Sequence, residues 1–123
     1  MNKIKFISSI LFLFAIIIYA GEKDYLAFAE KMPEIKGGLK ALYSKVEYPA
    51  QAKSKNVQGK VYVLIYISET GKVDNVKVVK GIGSGCDEAA INAIKKCEFN
   101  PGVLKGKPVK VKMALAIKFK LIN

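Results

Sequence analysis

The stretch VQGKVYVLIYISETGKVDNVKVVK, residues 57–80, decides how this chain folds. Its first half carries apolar residues at alternate positions, namely Val61, Val63, Ile65 and Ile67. This two-residue repeat is typical of a β-strand with one buried face. Gly71 follows, and glycine suits a tight turn because it adopts positive φ without steric cost. The stretch therefore predicts a β-hairpin that turns at residues 69–72.

The second half of the hairpin changes its apolar parity, from Val73 to Val76 and Val78. Because a strict two-residue repeat cannot change parity without an irregularity, we predict a β-bulge near Asp74 and Asn75. A hairpin by itself is marginally stable in water. Its apolar face must therefore be covered by a further strand or a helix.

Helical patterns lie on both sides of the hairpin. Before it, apolar residues recur at helical spacing at Leu39, Leu42, Tyr43 and Val46. Pro49 ends that helix, because the residue before a proline is pushed out of the α region, and suits the first position of a second short helix, Ala50–Lys55. After the hairpin we predict a helix over Asp87–Lys96, whose sheet-covering residues are Ala90, Ile91, Ala93, Ile94 and Cys97.

The end of the chain predicts one long strand, Pro108–Ile122. Its apolar face comprises Val109, Val111, Met113, Leu115, Ile117, Phe119 and Leu121, and its other face comprises Lys110, Lys112, Ala114, Ala116, Lys118 and Lys120. The predicted fold class is α+β, in the order α-β-β-α-β, with a three-stranded antiparallel sheet covered by helix on one face and basic on the other. A strand this long outruns its partner, so its free edge is either guarded by lysines or open to a strand from another chain.

Two cysteines lie at the ends of the predicted helix after the hairpin. Eleven residues of helix between Cys86 and Cys97 would separate them by roughly 16 Å, at about 1.5 Å per residue. A disulfide requires Cα atoms within about 7 Å of each other. We therefore predict two free, largely buried thiols.

The composition argues against several classes of function. The 123 residues fit one small domain. The 21 basic and 10 acidic residues leave a net charge of +11, and the chain has no histidine, which is the commonest metal ligand and general base. We therefore predict no enzyme, no metal and no cofactor. Every basic residue is a lysine, so the positive charge suits anionic surfaces or acidic peptides. Such a diffuse charge recognises specific bases poorly, so nucleic acid is not an expected partner.

Residues 1–20 carry two early lysines, an apolar run over Phe6–Tyr19 and a small residue at Ala20. This pattern predicts a cleaved signal peptide or an uncleaved membrane anchor formed by residues 4–20. The apolar run is shorter than the roughly 18 residues of a spanning helix, which favours the signal peptide. Both interpretations place the rest of the chain outside the cytoplasm. We predict a short linker over residues 21–36, with a weak helical turn before Pro33, and a folded domain over residues 37–123.

The order of these motifs resembles the C-terminal domain of TonB, the periplasmic energy transducer of Gram-negative bacteria. The motifs are PEIKGG at residues 33–38, YPAQA at 48–52, the hairpin stretch, DEAAINAI at 87–94 and EFNPG at 98–102. The resemblance implies a periplasmic domain whose last strand receives a short segment of an outer-membrane receptor as an added strand. It also implies that full-length members work with an inner-membrane motor complex in transport across the envelope.

By this resemblance, the partner-binding residues are Lys53, Val109, Lys110, Val111, Lys112, Met113, Ala114, Leu115, Ala116, Ile117 and Lys118. The chain departs from the family where Lys53 replaces a glutamine and where only residues 21–36 stand in place of a long linker. A homodimer formed by strand exchange also remains open. The alternative function is a stand-alone envelope adaptor that binds anionic cell-wall polymer or lipid surfaces through its lysines.

Overall fold

The computed structural model describes residues 24–122, so the predictions for residues 1–23 lie outside the described part of the chain. In chain order, the elements are β1 Glu34–Ile35, α1 Gly38–Lys45, α2 Ala50–Ser54, β2 Gly59–Ile67, β3 Val73–Lys80, α3 Cys86–Lys95, β4 Phe99–Asn100, β5 Gly102–Leu104, β6 Lys107–Val109 and β7 Val111–Phe119. The main sheet has the order β3-β2-β7, with both pairs antiparallel. The predicted α+β class with a three-stranded antiparallel sheet is confirmed.

The hairpin of β2 and β3 lies where the alternating pattern predicts it. Gly71 adopts φ +83° in the turn, and the N–H of Ser68 donates to the carbonyl of Lys72 at 2.8 Å. The side chain of Ser68 also accepts a hydrogen bond from the N–H of Lys72 at 3.0 Å. These contacts close the turn at the predicted residues.

The predicted bulge is confirmed. Tyr66 pairs with Asn75 and Ile67 pairs with Val73, so Asp74 has no residue opposite it. An extra residue on one strand restores the apolar face after the change of parity. A second register shift, between Tyr62 and Val63, was not predicted.

The hydrophobic core lies between the sheet and the helices. The four alternating residues of β2, namely Val61, Val63, Ile65 and Ile67, are all fully buried. They share one cluster with Leu42 of α1, with Ala90, Ala93 and Ile94 of α3, and with Phe99 and Phe119. Burying one large aliphatic side chain contributes about 1.5–3 kcal/mol, so this cluster is the main source of stability.

Both cysteines are free and buried, as predicted. The Sγ of Cys97 donates to the carbonyl of Ala93 at 3.3 Å, one turn earlier in α3. Burial raises the pKa of both the Cys86 thiol and the Cys97 thiol. The two groups are therefore neutral packing side chains.

The prediction of one continuous strand over Pro108–Ile122 is wrong. The main sheet contains only Val111–Phe119 of it, while Lys107–Val109 pairs with β5 in a separate small hairpin. The turn of that hairpin holds Lys105 at φ +52° and Gly106 at φ +75°. The apolar parity runs unbroken from β6 into β7, so the periodicity carries no sign of the break at Lys110.

The predicted helix boundaries are correct to within one residue. The helix α2 ends at Ser54, and α3 begins at Cys86 and ends at Lys95. Pro49 lies at the N-cap of α2, with φ −63° and ψ 139°, rather than at the first helical position. Ile91 is half-buried, whereas the other predicted residues of the α3 face are buried.

The predicted helical turn before Pro33 is absent, and the described part of the segment lies against the domain. The strand β1 pairs with β4, and Lys31 forms an antiparallel bridge to Val103. Ala29 is 1% exposed. Residues 24–36 therefore form an ordered layer beside the sheet. No helix within residues 24–122 combines the length and the apolar character that crossing a bilayer requires.

Candidate strand-addition site

The strand β7 lies at the end of the main sheet, so one of its edges faces away from β2. The pairing with β2 covers the whole of β7, from Phe119 opposite Gly59 to Val111 opposite Ile67. Alternate residues of a strand direct their peptide groups to opposite edges. The even-numbered residues of β7, namely Lys112, Ala114, Ala116 and Lys118, therefore direct their N–H and C=O groups outward.

Other parts of the chain occupy both ends of this outward edge. At its start, the N–H of Lys112 donates to the carbonyl of Leu26 and the N–H of Leu26 donates to the carbonyl of Lys110, both at 2.9 Å. At its far end, the N–H of Lys118 donates to the hydroxyl of Tyr43 at 3.0 Å. The edge is therefore closed at two points that are six residues apart.

The middle of the edge is open. Ala114 lies opposite Leu64 and Ala116 lies opposite Tyr62, in pairs whose peptide groups point away from each other. Within residues 24–122, the outward groups of Ala114 and Ala116 have no hydrogen-bond partner. Their small side chains also leave room for an approaching backbone. This open window is the feature that an added strand requires.

A groove lies at the far end of β7, beside the point where Tyr43 closes the edge. It is lined by Tyr43, Lys118, Lys120, Leu121 and Ile122. Tyr43 is 39% exposed and Ile122 is 99% exposed. The groove therefore combines apolar surface with two lysines at the end of β7.

An aromatic cluster flanks the other end of the window, on the open face of the sheet. The ring of Tyr25 packs edge-on against the ring of Tyr66, with centroids 5.0 Å apart. The ammonium of Lys110 lies 5.7 Å from the Tyr25 ring and that of Lys77 lies 5.3 Å from the Tyr66 ring. The hydroxyl of Tyr25 donates to a carboxylate oxygen of Asp74. This hydrogen bond, aided by burial, raises the pKa of Tyr25 to about 12.

The structure separates the predicted site residues into three groups. Eight of them lie on β7, namely Val111, Lys112, Met113, Ala114, Leu115, Ala116, Ile117 and Lys118. Val109 lies in β6, outside the main sheet, and Lys110 lies at the break between the two strands. Lys53 lies in α2, and its ammonium is 5.9 Å from the centroid of the Tyr48 ring. That ring packs edge-on against Phe119 at 5.4 Å, so α2 is linked to the end of β7.

Sequence reasoning missed the residues that close the edge. Leu26 lies in the segment predicted to be a linker, and Tyr43 lies in the apolar pattern that predicts the first helix. The only signal for the first is a short apolar patch, Tyr25–Ala29, in a polar segment. Nothing in the sequence indicates that the Tyr43 hydroxyl reaches the strand 75 residues later.

Known proteins resemble this chain over the same elements. A family model described as Gram-negative bacterial TonB protein C-terminal matches residues 44–121. The TonB protein of Vibrio cholerae is 31% identical over 75 residues, which cover 60% of this chain and 31% of that protein. The TonB protein of Pseudomonas aeruginosa is 33% identical over 63 residues, which cover 50% of this chain and 18% of that protein. The chain thus spans less than a third of the length of these curated relatives.

A solved structure shows the same relationship. The fold is similar to the solution NMR structure of the P. aeruginosa TonB C-terminal domain, with a TM-score of 0.51 and 28% identity. That match covers 63% of this chain and 79% of the solved chain. The prediction that the chain is not an enzyme is confirmed by these relationships. Because the family model covers more than half of it, the chain belongs to the family of Gram-negative bacterial TonB C-terminal domains.

Proposed function

We propose that this chain acts in TonB-dependent transport by binding an extended segment of an outer-membrane receptor as a fourth strand beside β7. One observation carries the proposal: the outward peptide groups of Ala114 and Ala116 are unpaired within residues 24–122. In strand addition, main-chain hydrogen bonds supply affinity and side-chain pockets supply specificity. In this proposal the open window provides the main-chain hydrogen bonds, and the groove beside Tyr43 provides a side-chain pocket.

Lysines define the charge of the segment that fits this edge. Lys118 and Lys120 are exposed at the groove, and Lys112 is half-buried at the start of the window. A receptor segment with acidic side chains would reduce the repulsion among these ammonium groups. Because exposed charges are screened beyond about 10 Å at 0.1 M salt, this contribution affects the association rate more than the final affinity.

The proposal places the domain in the periplasm. Residues 1–20 direct its export, either as a signal peptide or as an anchor that stays in the inner membrane. An inner-membrane motor complex is a partner in the anchored case only, because a released domain has no connection through which force can act. Lys53 forms a secondary receptor contact from α2, and a homodimer arises where a second copy occupies the same edge.

A proline substitution tests strand addition directly. Ala116→Pro removes an outward N–H that makes no hydrogen bond within the described residues, and proline is tolerated on an edge strand when its nitrogen faces solvent. The matched control, Ala116→Ser, keeps the N–H at the same position. The probe is a plug peptide, which is a synthetic peptide with the sequence of the short receptor segment. We expect plug peptides to shift the amide resonances of residues 112–118 in the parent and the serine variant. The proline variant should keep its fold, by circular dichroism, and lose the binding.

Two results would contradict the proposal. The first is a plug peptide that binds tightly without shifting any amide between Lys112 and Lys118. The second is equal affinity for the proline and serine variants, because strand addition requires the missing N–H.

A groove on another side of the domain favours the alternative function. Four lysines line it, namely Lys36, Lys72, Lys95 and Lys96, together with Glu98. Within the groove, the Lys36 ammonium forms an ion pair with the Glu98 carboxylate at 3.8 Å. An anionic lipid headgroup or cell-wall polymer would neutralise the remaining charge.

This alternative predicts binding to vesicles that contain phosphatidylglycerol. Binding should fall steeply as salt rises, and it should fall further in a variant with glutamine at Lys72, Lys95 and Lys96. A control with glutamine at Lys40, Lys55 and Lys60 carries the same net charge with the groove intact. Equal vesicle binding by the two variants would mean that only the net charge of the protein matters, and it would exclude a specific role for the groove.

A further inference from the structure

The segment Asp24–Lys31, here called the arm, contacts the same edge that the proposed function assigns to a receptor. Leu26 forms a parallel bridge to Val111 and takes up the outward groups of Lys110 and Lys112. These are the two positions immediately before the open window. The arm thus behaves as a very short added strand supplied by the chain itself.

Side-chain contacts hold the start of the arm in place. The ring of Tyr25 covers Tyr66, its hydroxyl is bound by Asp74, and the Lys110 ammonium lies over its face. Such edge-on aromatic pairs and cation–π contacts add to the backbone hydrogen bonds. The edge therefore has a preformed site for an aromatic residue that is followed by an aliphatic one.

The end of the arm is held separately. Lys31 exchanges two backbone hydrogen bonds with Val103, at 3.0 and 2.8 Å, and Ala29 is 1% exposed. The carboxylate of Glu30 accepts a hydrogen bond from the N–H of Lys105 at 3.1 Å. Between the two attachment points, Phe28 is 79% exposed. The start of the arm can therefore leave the edge while its end stays attached.

We propose that the arm is an intramolecular competitor for the β7 edge, and that a partner strand displaces it by placing its own aromatic-aliphatic pair on the Tyr66 site. The identity of the partner strand in this inference rests on the proposed function. The contact between the arm and the β7 edge is observed in the structure and does not depend on that function. A strand that continues into the window along the same parallel register requires the outward groups that Leu26 now holds. The arm and a full-length added strand cannot both bind.

Displacement lowers the apparent affinity for the partner. When a binding-competent state is only partly populated, the apparent dissociation constant rises in inverse proportion to that population. Two backbone hydrogen bonds and one aromatic pair make the open state a minor one. Releasing the arm should therefore tighten partner binding by about tenfold.

The test uses the full chain in detergent micelles and two probes. The first probe is a synthetic peptide with the sequence of the arm, DYLAFAEK. The second is a receptor plug peptide. The test variant combines Tyr25→Ala with Leu26→Pro, which removes the ring and the N–H bound by Lys110. The matched control is Phe28→Ala, because that exposed ring lies in the same arm between its attachment points.

In the test variant, we expect faster hydrogen exchange at the Lys112 amide and shifts at Lys112 and Ala114 on addition of the arm peptide. The parent and the Phe28→Ala control should bind that peptide about tenfold more weakly. Should the double variant fail to fold, Tyr25→Ala alone keeps every backbone hydrogen bond and should change affinity in the same direction.

The two probes separate the possible failures. An arm peptide that leaves the β7 amides unchanged in the test variant would overturn the inference. A plug peptide that binds parent and test variant equally would show that the arm does not compete. A plug peptide that binds neither protein would refute the proposed function, while the arm peptide would still decide whether the arm occupies the edge.

Discussion

Replacing Gly71 by alanine should destabilise the domain far more than replacing a glycine of similar backbone conformation. Gly71 has φ +83°, and an added Cβ would lie 1.9 Å from the carbonyl oxygen of Phe99. Gly83 has φ +74°, and its Cβ would meet nothing within 4 Å. Both substitutions place an alanine in left-handed backbone, but only Gly71→Ala also brings its Cβ into collision with the Phe99 carbonyl. Their difference therefore measures how closely the hairpin turn approaches β4.

The expected sizes follow from the contacts. Left-handed backbone costs a non-glycine residue about 1–2 kcal/mol, and replacing glycine recovers about 0.4–1 kcal/mol by reducing unfolded-state entropy. The clash at Gly71 also breaks the hydrogen bond from the Phe99 N–H to the Gly71 carbonyl, which is 3.1 Å long. Leaving that buried N–H unpaired costs about 1–3 kcal/mol. We expect a net loss of about 1 kcal/mol for Gly83→Ala and about 2–4 kcal/mol for Gly71→Ala.

Urea unfolding followed by circular dichroism would measure both values. With a slope of about 2 kcal/mol per molar urea, the midpoint of Gly71→Ala should fall by about 1–2 M and that of Gly83→Ala by about 0.5 M. Equal midpoints for the two variants would refute the reasoning, because they would mean that the turn does not press on Phe99.

Three further outcomes follow from the structure. Ile65→Ala should cost about 2–5 kcal/mol of unfolding free energy, whereas Val79→Ala, at a residue that is 69% exposed, should stay within about 0.5 kcal/mol in the same urea assay. Both cysteine thiols should resist alkylation by iodoacetamide in the native protein and react once it unfolds, because burial raises their pKa values and blocks access; rapid native labelling would contradict the packing. The pKa of Tyr25 is raised to about 12. The contribution of its hydroxyl to the free energy of unfolding is therefore fully present below the unfolded pKa of about 10 and is lost as pH rises through 12. The midpoint of thermal unfolding, followed by circular dichroism, should fall further over that range in the parent and in a Tyr62→Phe control than in Tyr25→Phe, which lacks the titrating hydroxyl.

Local patterns were sufficient for most of the fold. The alternation in β2 predicted the buried face, the change of parity predicted the bulge at Asp74, and the helical length between the cysteines excluded a disulfide. In each case, the deciding quantity is a repeat or a rise per residue, which the sequence carries directly. The same patterns, joined to the motif order, led to the correct family.

The last strand is the element whose boundaries the apolar pattern did not predict. The apolar parity continues from Val109 into Val111, so one long strand and two short ones have the same sequence signature. The break at Lys110 depends on the small β5–β6 hairpin and on a hydrogen bond to Leu26. Neither feature changes the pattern of apolar residues.

The sequence by itself determined the fold class and the buried face of the sheet. Its resemblance to the family also led to the proposal that a partner binds along the last strand. Only the tertiary structure decided which part of that strand is free. Leu26 closes one end of the edge and Tyr43 closes the other, leaving Ala114 and Ala116 between them. The groups that are closed are backbone N–H and C=O groups of β7, which every non-proline residue carries whatever its side chain. Residues distant in the chain therefore set the open window, and no pattern of side chains records it.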